Sequence, residues 1–166
     1  TDSEIIIHLM ARARSSDIKD SLVYALRRIR GAYSLVMMDK THLIGVRDPL
    51  GIRPLSLGRI NNSLCLASET CAFDLIGARF VREIEPGEIV FIGKEGVQSI
   101  KPQELAFRRH AHCVFEHVYF SRRDSQVFGE TVHTVRRKLG EQLAKEYPLK
   151  ADFVVPVPDS GFSAAL

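Results

Sequence analysis

At Gly31-Ala32 the hydrophobic period of the chain changes, and this change restricts the class of fold open to it. Upstream, apolar residues recur at helical spacing. Thr1-Asp2-Ser3-Glu4 has capping-box spacing, with a hydroxyl at the N-cap and an acid three residues on. The helix it starts is expected to reach about Arg14, with Ile5, Leu9 and Met10 on its apolar face. Asp17 opens a second helix, in which Ile18, Leu22, Leu26 and Ile29 keep the spacing until Gly31. Downstream the period is that of strands. Tyr33 to Met38 and Leu43 to Val46 flank the turn Asp39-Lys40-Thr41-His42. Leu55 to Ile60 and Ser63 to Ala67 flank Asn61-Asn62, a two-residue hairpin turn expected to be of type I′. A short helix over Thr70 to Ile76 is followed by strands at Phe80-Val81, Glu88 to Ile92 and Val97 to Ile100. Two helices and then a run of antiparallel strands predict a layered α+β domain.

After Lys101-Pro102 the character shifts again. Residues 102–112 are basic and aperiodic, as a linker would be. An apolar stretch follows at Val114 to Phe120, then a helix from Thr131 to about Tyr147 with Val132, Val135, Leu139 and Leu143 on one face. Asp152 to Pro158 reads as a buried strand, Asp159-Ser160-Gly161 as a turn, and Phe162 to Leu166 as the start of a small-residue helix. Helix, strand, turn, helix is the α/β pattern of a parallel sheet. The turn offers N–H groups and a helix N-terminus to an anion. A parallel strand entering such a unit needs neighbours, and none follow. The chain is therefore expected to be part of a larger protein, cut within a motif.

Composition excludes several classes. Hydrophobic residues are 45% and charged residues 26%, an ordinary globular balance. No apolar run reaches the length of roughly 18–20 residues needed by a membrane helix. A formal net charge of +3 is too small to imply a nucleic-acid partner. Cys65, Cys71 and Cys113 form neither a CxxC pair nor an even framework, which fits a reducing, cytoplasmic chain rather than a disulfide scaffold. Cys65 and Cys71 read as packing residues. His110, Cys113 and His117 match no established zinc spacing.

One set of segments carries a resemblance. It comprises Gly31-Ala32-Tyr33-Ser34-Leu35, Arg47-Asp48-Pro49 through Arg53-Pro54-Leu55, Ala67-Ser68-Glu69-Thr70, Glu85-Pro86-Gly87-Glu88 and the block Phe115-Glu116-His117-Val118-Tyr119-Phe120-Ser121-Arg122-Arg123-Asp124-Ser125. On its own, the arginine-bearing stretch from Arg47 to Leu55 reads as a charged hairpin loop. In order and spacing, however, the set resembles the amidophosphoribosyltransferases, the glutamine phosphoribosylpyrophosphate amidotransferases of purine synthesis, across essentially the whole chain. Two departures stand out. Ser121 stands where Ala is usual in that family, and Arg123 where Pro is usual.

The resemblance implies an α+β then α/β architecture. Residues 1–101 would be the C-terminal part of an N-terminal-nucleophile (αββα) glutaminase domain, 102–112 a linker, and 113–166 the start of a phosphoribosyltransferase parallel-sheet domain. The family's catalytic N-terminal cysteine lies upstream of the segment that Thr1 to Glu4 resembles, so no catalytic residue is assigned here and the chain alone is expected to be inactive. Thr1 is rejected as a substitute nucleophile because it caps a helix inside the matched domain. Asp2 is implied to bind the α-ammonium of substrate glutamine, a task that suits a fixed carboxylate; otherwise it is a helix N-terminal acid. Asp159, Ser160 and Gly161 are similar in position to the family's pyrophosphate loop, with Asp159 acting through magnesium-bound water. Cys113 matches a ligand of the 4Fe-4S cluster found in one branch of the family; such a cluster needs four thiolates, so one cysteine does not hold it. Arg108-Arg109 and Arg122-Arg123 are either attractors of a phosphate-rich substrate or, on the plainer reading, solvated faces or interdomain contacts.

The implied activity is formation of 5-phosphoribosylamine from glutamine and phosphoribosylpyrophosphate, with magnesium, in a full-length protein that is cytoplasmic and homo-oligomeric and takes neither nucleic acid nor membrane as partner. Two rivals are a glutaminase of the glucosamine-6-phosphate synthase type and a non-catalytic module that kept the fold.

Overall fold

The computed structural model describes residues 2–106 and 109–166. The readings made for Thr1 and Arg108 lie outside the described residues. The chain divides into two compact units, Thr1–Ile52 with Glu85–Ala111 and Arg53–Ile84 with His112–Leu166.

In the first unit, α1 (Asp2–Ala11) and α2 (Ile18–Leu26) accompany a four-stranded antiparallel sheet of order β1 (Ser34–Met38), β2 (Leu43–Arg47), β6 (Ile89–Gly93), β7 (Gly96–Ile100). Asp17 caps α2 by accepting the N–H of Lys19 at 2.8 Å, which satisfies a donor the helix leaves open. The core joins Leu22 and Leu26 of α2 to Tyr33, Ile44, Val46, Ile89 and Phe91, as the spacing of these residues predicts. Leu105, inside the aperiodic stretch expected to be a linker, also belongs to this core, held there by a 3₁₀ turn over Gln103–Leu105. In α1 the buried residue is Ile6, with Leu9 and Met10 half-buried, whereas Ile5 faces solvent. The helix also stops at Ala11, short of Arg14, which has a left-handed φ of 53°. Between β1 and β2, Asp39 accepts the N–H groups of Thr41 and His42, at 2.6 Å each. These bonds, with that to Thr41 foremost, hold its carboxyl down at about 2.

The second unit contains a three-stranded antiparallel sheet of order β4 (Ser63–Ala67), β3 (Ser56–Ile60), β5 (Arg79–Glu83), with α3 (Cys71–Ile76) between β4 and β5 in sequence. The two-residue turn Asn61-Asn62 is present, since Ile60 pairs with Ser63. Only Asn61 takes a positive φ, 51°, so the turn is not type I′, which needs both central residues there. That signature occurs instead at Phe128 (53°) and Gly129 (84°), joining the short strands β8 (Gln126–Val127) and β9 (Glu130–Thr131). The apolar stretch before them winds into a π turn over Glu116–Phe120.

Helix α4 (Val132–Glu146) buries Val132 and Arg136 rather than a stripe continuing to Leu139 and Leu143, both of which are exposed. The packed face is Val132–Arg136–Gly140, because the short helix α5 (Gly161–Ala165) sits directly against Gly140, where an added Cβ would come within 1.9 Å of the Ala164 carbonyl oxygen. The buried strand expected over Asp152 to Pro158 is not formed. Phe153, Val154, Val155 and Val157 are all strongly exposed, and no strand among the described residues pairs with them. An apolar run becomes a buried strand only where a sheet edge receives it.

Candidate functional site

The arginine-bearing stretch predicted as a charged hairpin loop divides its charges. Asp48 is fully buried and accepts the N–H groups of Leu50 (2.9 Å) and Ile52 (3.0 Å), while its own carbonyl accepts those of Gly51 and Gly87. Arg47 is equally buried and donates to the Gly51 carbonyl at 3.3 Å. Glu88, also buried, accepts the Ser99 hydroxyl and the Glu85 N–H, at 2.6 Å each. These charges hold the loop in shape. Nearby, the Tyr33 hydroxyl has no hydrogen-bond partner among the described residues, and burial, with the Asp48 charge adding to it, pushes its pKa up to about 12. Asp2 lies in the first turn of α1, exposed, with one carboxylate oxygen accepting the Ser3 N–H at 2.9 Å. The other oxygen has no hydrogen-bond partner among the described residues.

In the second unit the structure collects residues that are far apart in sequence. A cleft of about 660 Å³ is lined by Arg122, Arg123, Asp124, Arg136, Asp159 and Ser160, among others. The Asp159-Ser160-Gly161 turn thus stands beside three guanidinium groups. The N–H of Gly161 is taken by the Val157 carbonyl at 3.1 Å, whereas those of Asp159 and Ser160 have no partner among the described residues. The Pro158–Asp159 peptide is cis. The helix that follows, α5, has 5 residues, too few to add a substantial dipole.

The arginines are positioned by a buried polar frame that sequence inspection did not assign. Arg136, 6% exposed, donates Nε–H to the His117 carbonyl (2.6 Å) and Nη2–H to that of Ser121 (2.8 Å). Burial lowers its pKa from the ordinary arginine value, and the Glu69 carboxylate opposes that shift. Glu116, 2% exposed, accepts the Ser121 hydroxyl at 2.8 Å and pairs with Arg53, whose Nε lies 2.6 Å from it. The Arg53 guanidinium also covers the Phe120 ring, 4.6 Å from its centroid. Arg122 forms a two-point pair with Asp124 (3.1 and 2.7 Å), and this hydrogen bonding raises the pKa of Arg122 and lowers that of Asp124. The side chain of Arg123 has no ion pair among the described residues. Local sequence carried no signal for Arg136 or Glu116: an arginine on a helix and a glutamate in an apolar block look the same whether they are exposed or buried.

The cysteines remain separate. Cys71 is buried and Cys65 half-buried, and desolvation raises the pKa of both thiols, as expected for packing residues. Cys113 is half-buried at the start of the π turn. Among the described residues no group of three His, Cys, Asp or Glu is arranged to hold a metal ion, and this chain's three cysteines do not amount to the four thiolates of a 4Fe-4S cluster. His117 instead places Nε2 3.1 Å from the Val127 carbonyl. No helix among the described residues is long and apolar enough to cross a membrane.

Known proteins match the chain in both sequence and fold. Residues 1–74 match the family profile of the glutamine amidotransferase domain. Amidophosphoribosyltransferase of Rhizobium etli is 44% identical over 171 residues, covering 100% of this chain and 34% of the relative. That of Bacillus subtilis is 42% identical over 166 residues, again covering 100% of this chain and 34% of its own length. A solved structure of the glutamine phosphoribosylpyrophosphate amidotransferase from Bacillus subtilis, complexed with ADP and GMP, superposes with a TM-score of 0.94 at 42% identity, covering 99% of this chain and 36% of that one. The chain spans about a third of the length of the curated relatives it matches. Matched from end to end in both sequence and fold, the chain is similar over its whole length to amidophosphoribosyltransferases.

Proposed function

We propose that the full-length protein transfers the amide nitrogen of glutamine to phosphoribosylpyrophosphate, forming 5-phosphoribosylamine for purine synthesis. The observation that carries this reading is the cleft that sets Asp159 and Ser160 beside Arg122, Arg123 and Arg136, in a chain similar along its whole length to amidophosphoribosyltransferases. Residues 1–101 would serve the glutaminase half, 102–112 would connect, and 113–166 would begin the transferase half.

The exposed carboxylate of Asp2 would bind the α-ammonium of glutamine and so fix the substrate while its side-chain amide is hydrolysed. At the second site, ammonia attacks the anomeric carbon of the ribose donor. A C–N bond forms, the C–O bond to pyrophosphate breaks, and the nitrogen loses a proton. Negative charge grows on the departing oxygen. The guanidinium groups lining the cleft and the amides of the turn would stabilise it. Ser160 and Gly161 belong to the same turn, Ser160 adding a hydroxyl. Asp159 is exposed and without an ion pair among the described residues, a carboxylate suited to holding magnesium through water; the ion, when bound, offsets pyrophosphate charge. Cys113 would supply one of the four thiolates of a 4Fe-4S cluster in the full-length protein. The full-length protein is further assigned as cytoplasmic and homo-oligomeric.

The test is Asp2→Asn in the full-length protein. The variant keeps shape but loses charge, so the KM for glutamine rises about tenfold or more while the reaction driven by added ammonia keeps its rate. Equal loss in both reactions would remove Asp2 from the assignment.

A further inference from the structure

Glu69 stands at the end of the β4 segment, within the stretch matched by the glutamine amidotransferase profile, yet its hydrogen bonds reach far down the chain. One carboxylate oxygen accepts the backbone N–H of Arg122 at 2.8 Å and the hydroxyl of Ser125, also at 2.8 Å. The adjacent Thr70 hydroxyl accepts the N–H of Gln126 at 2.8 Å. Ser125 is fully buried and Thr70 nearly so. The turn is closed on itself by the bond from Ser125 N–H to the Arg122 carbonyl (3.0 Å). It is tied to the start of α4 by the N–H groups of Val132 and His133, which donate to the carbonyls of Ser125 and Arg123 at 2.9 Å each. Residues 122–125 are thus pinned on two sides, and the three that line the cleft, Arg122, Arg123 and Asp124, are the exposed outer face of the same turn.

The charge arithmetic makes Glu69 the decisive pin. A carboxylate accepting an N–H and an O–H forms charge-assisted bonds, roughly twice as strong as neutral ones. The α4 bonds hold only backbone carbonyls and leave the Arg122 N–H and the Ser125 hydroxyl unanchored. A cationic turn that is not held would lose its order towards solvent, and ordering it would then oppose anion binding.

We propose that Glu69 is a positioning residue for the anion cleft: it makes no contact with the ligand, but fixes the Arg122–Ser125 turn so that its arginines are preorganised opposite the Asp159-Ser160 turn. This rests on the reading of the cleft as a pyrophosphate site. It also assigns to a residue of the amidotransferase segment a part in binding at the phosphate site.

Calorimetric titration of the full-length protein with inorganic pyrophosphate and magnesium tests the proposal, on wild type and on Glu69→Ala, Glu69→Gln and Ser125→Ala, with hydrogen exchange of residues 122–126 followed on the same samples. Glu69→Ala weakens pyrophosphate about tenfold, and Glu69→Gln only about threefold because its amide oxygen still accepts. Ser125→Ala falls between them, and exchange at Arg122 accelerates in the same order. Should Glu69→Ala not fold, the Gln and Ser125 variants carry the comparison. Unchanged affinity in the Glu69 variants overturns the proposal, as does a loss of the same size in Leu26→Ala, a core variant of the other unit. Wild-type protein that does not bind pyrophosphate overturns the cleft reading and this inference together; wild-type binding with indifferent Glu69 variants overturns the inference alone.

Discussion

The Ser121 hydroxyl donates to the Glu116 carboxylate at 2.8 Å, and both side chains are 2% exposed. Alanine is usual at the Ser121 position in the sequences this chain resembles. Here Ser121→Ala leaves a buried carboxylate oxygen without its donor, a loss of about 1–3 kcal/mol. Chemical denaturation reads this as a lower midpoint with an unchanged slope. An unaltered midpoint would mean that water replaces the hydroxyl without loss.

Arg136 satisfies two carbonyls with one planar fork. Arg136→Lys keeps the charge but cannot reach both the His117 and Ser121 carbonyls in that geometry. The expected cost is about 2 kcal/mol, with faster hydrogen exchange through the π turn. Equal stability of the lysine variant would show that charge, not the fork, holds the turn.

Gly140→Ala places two effects in opposition. Alanine in a helix interior gains up to about 1 kcal/mol of propensity. The new Cβ, however, would lie 1.9 Å from the Ala164 carbonyl oxygen, so α5 must move. Displacing α5 also breaks the 3.0 Å contact between His133 Nδ1 and Ser163 Oγ. Faster exchange at residues 161–165, with α4 itself intact, is the expected result; unchanged protection there would contradict the close packing of the two helices.

Tyr33 makes stability fall at high pH. Its folded pKa, about 12, lies above the ordinary value of 10.0. The unfolded chain therefore loses this proton first, and the contribution of Tyr33 is fully present below pH 10 and lost as pH rises towards 12. The difference corresponds to about 2–3 kcal/mol. In Tyr33→Phe this alkaline loss disappears. Because the hydroxyl has no partner among the described residues, stability at neutral pH stays equal or rises. A variant that retains the wild-type fall between pH 10 and 12 would move the titration to another group.

The antiparallel α+β pattern was legible because periodicity is local. Leu22 and Leu26 mark the inner face of α2, and the short apolar runs around Ile44 and Phe91 mark the sheet, without reference to any distant residue. What sequence could not supply was which neighbour each segment meets. Phe153 to Val157 is as apolar as a central strand but is exposed, and no strand among the described residues pairs with it. Leu139 and Leu143 have core spacing, yet α4 turns Val132 and Arg136 inward because α5 approaches at Gly140. The Asp159-Ser160-Gly161 turn and the Arg122-Arg123 pair could be read from their residues, whereas Arg136 beside them could not. Glu69 is bonded to residues 53 and 56 positions away, and such pairs leave no local trace.

Release of pyrophosphate from phosphoribosylpyrophosphate by the full-length protein, followed with glutamine or ammonia as nitrogen donor and magnesium present, tests the central assignment most directly. The account predicts release that depends on either donor, one glutamate formed per pyrophosphate when glutamine is used, and a rise in the KM for phosphoribosylpyrophosphate when Arg123, a cleft arginine whose side chain has neither an ion pair nor a hydrogen bond among the described residues, is replaced by alanine. Glutamine hydrolysis without nitrogen-dependent release of pyrophosphate would contradict it.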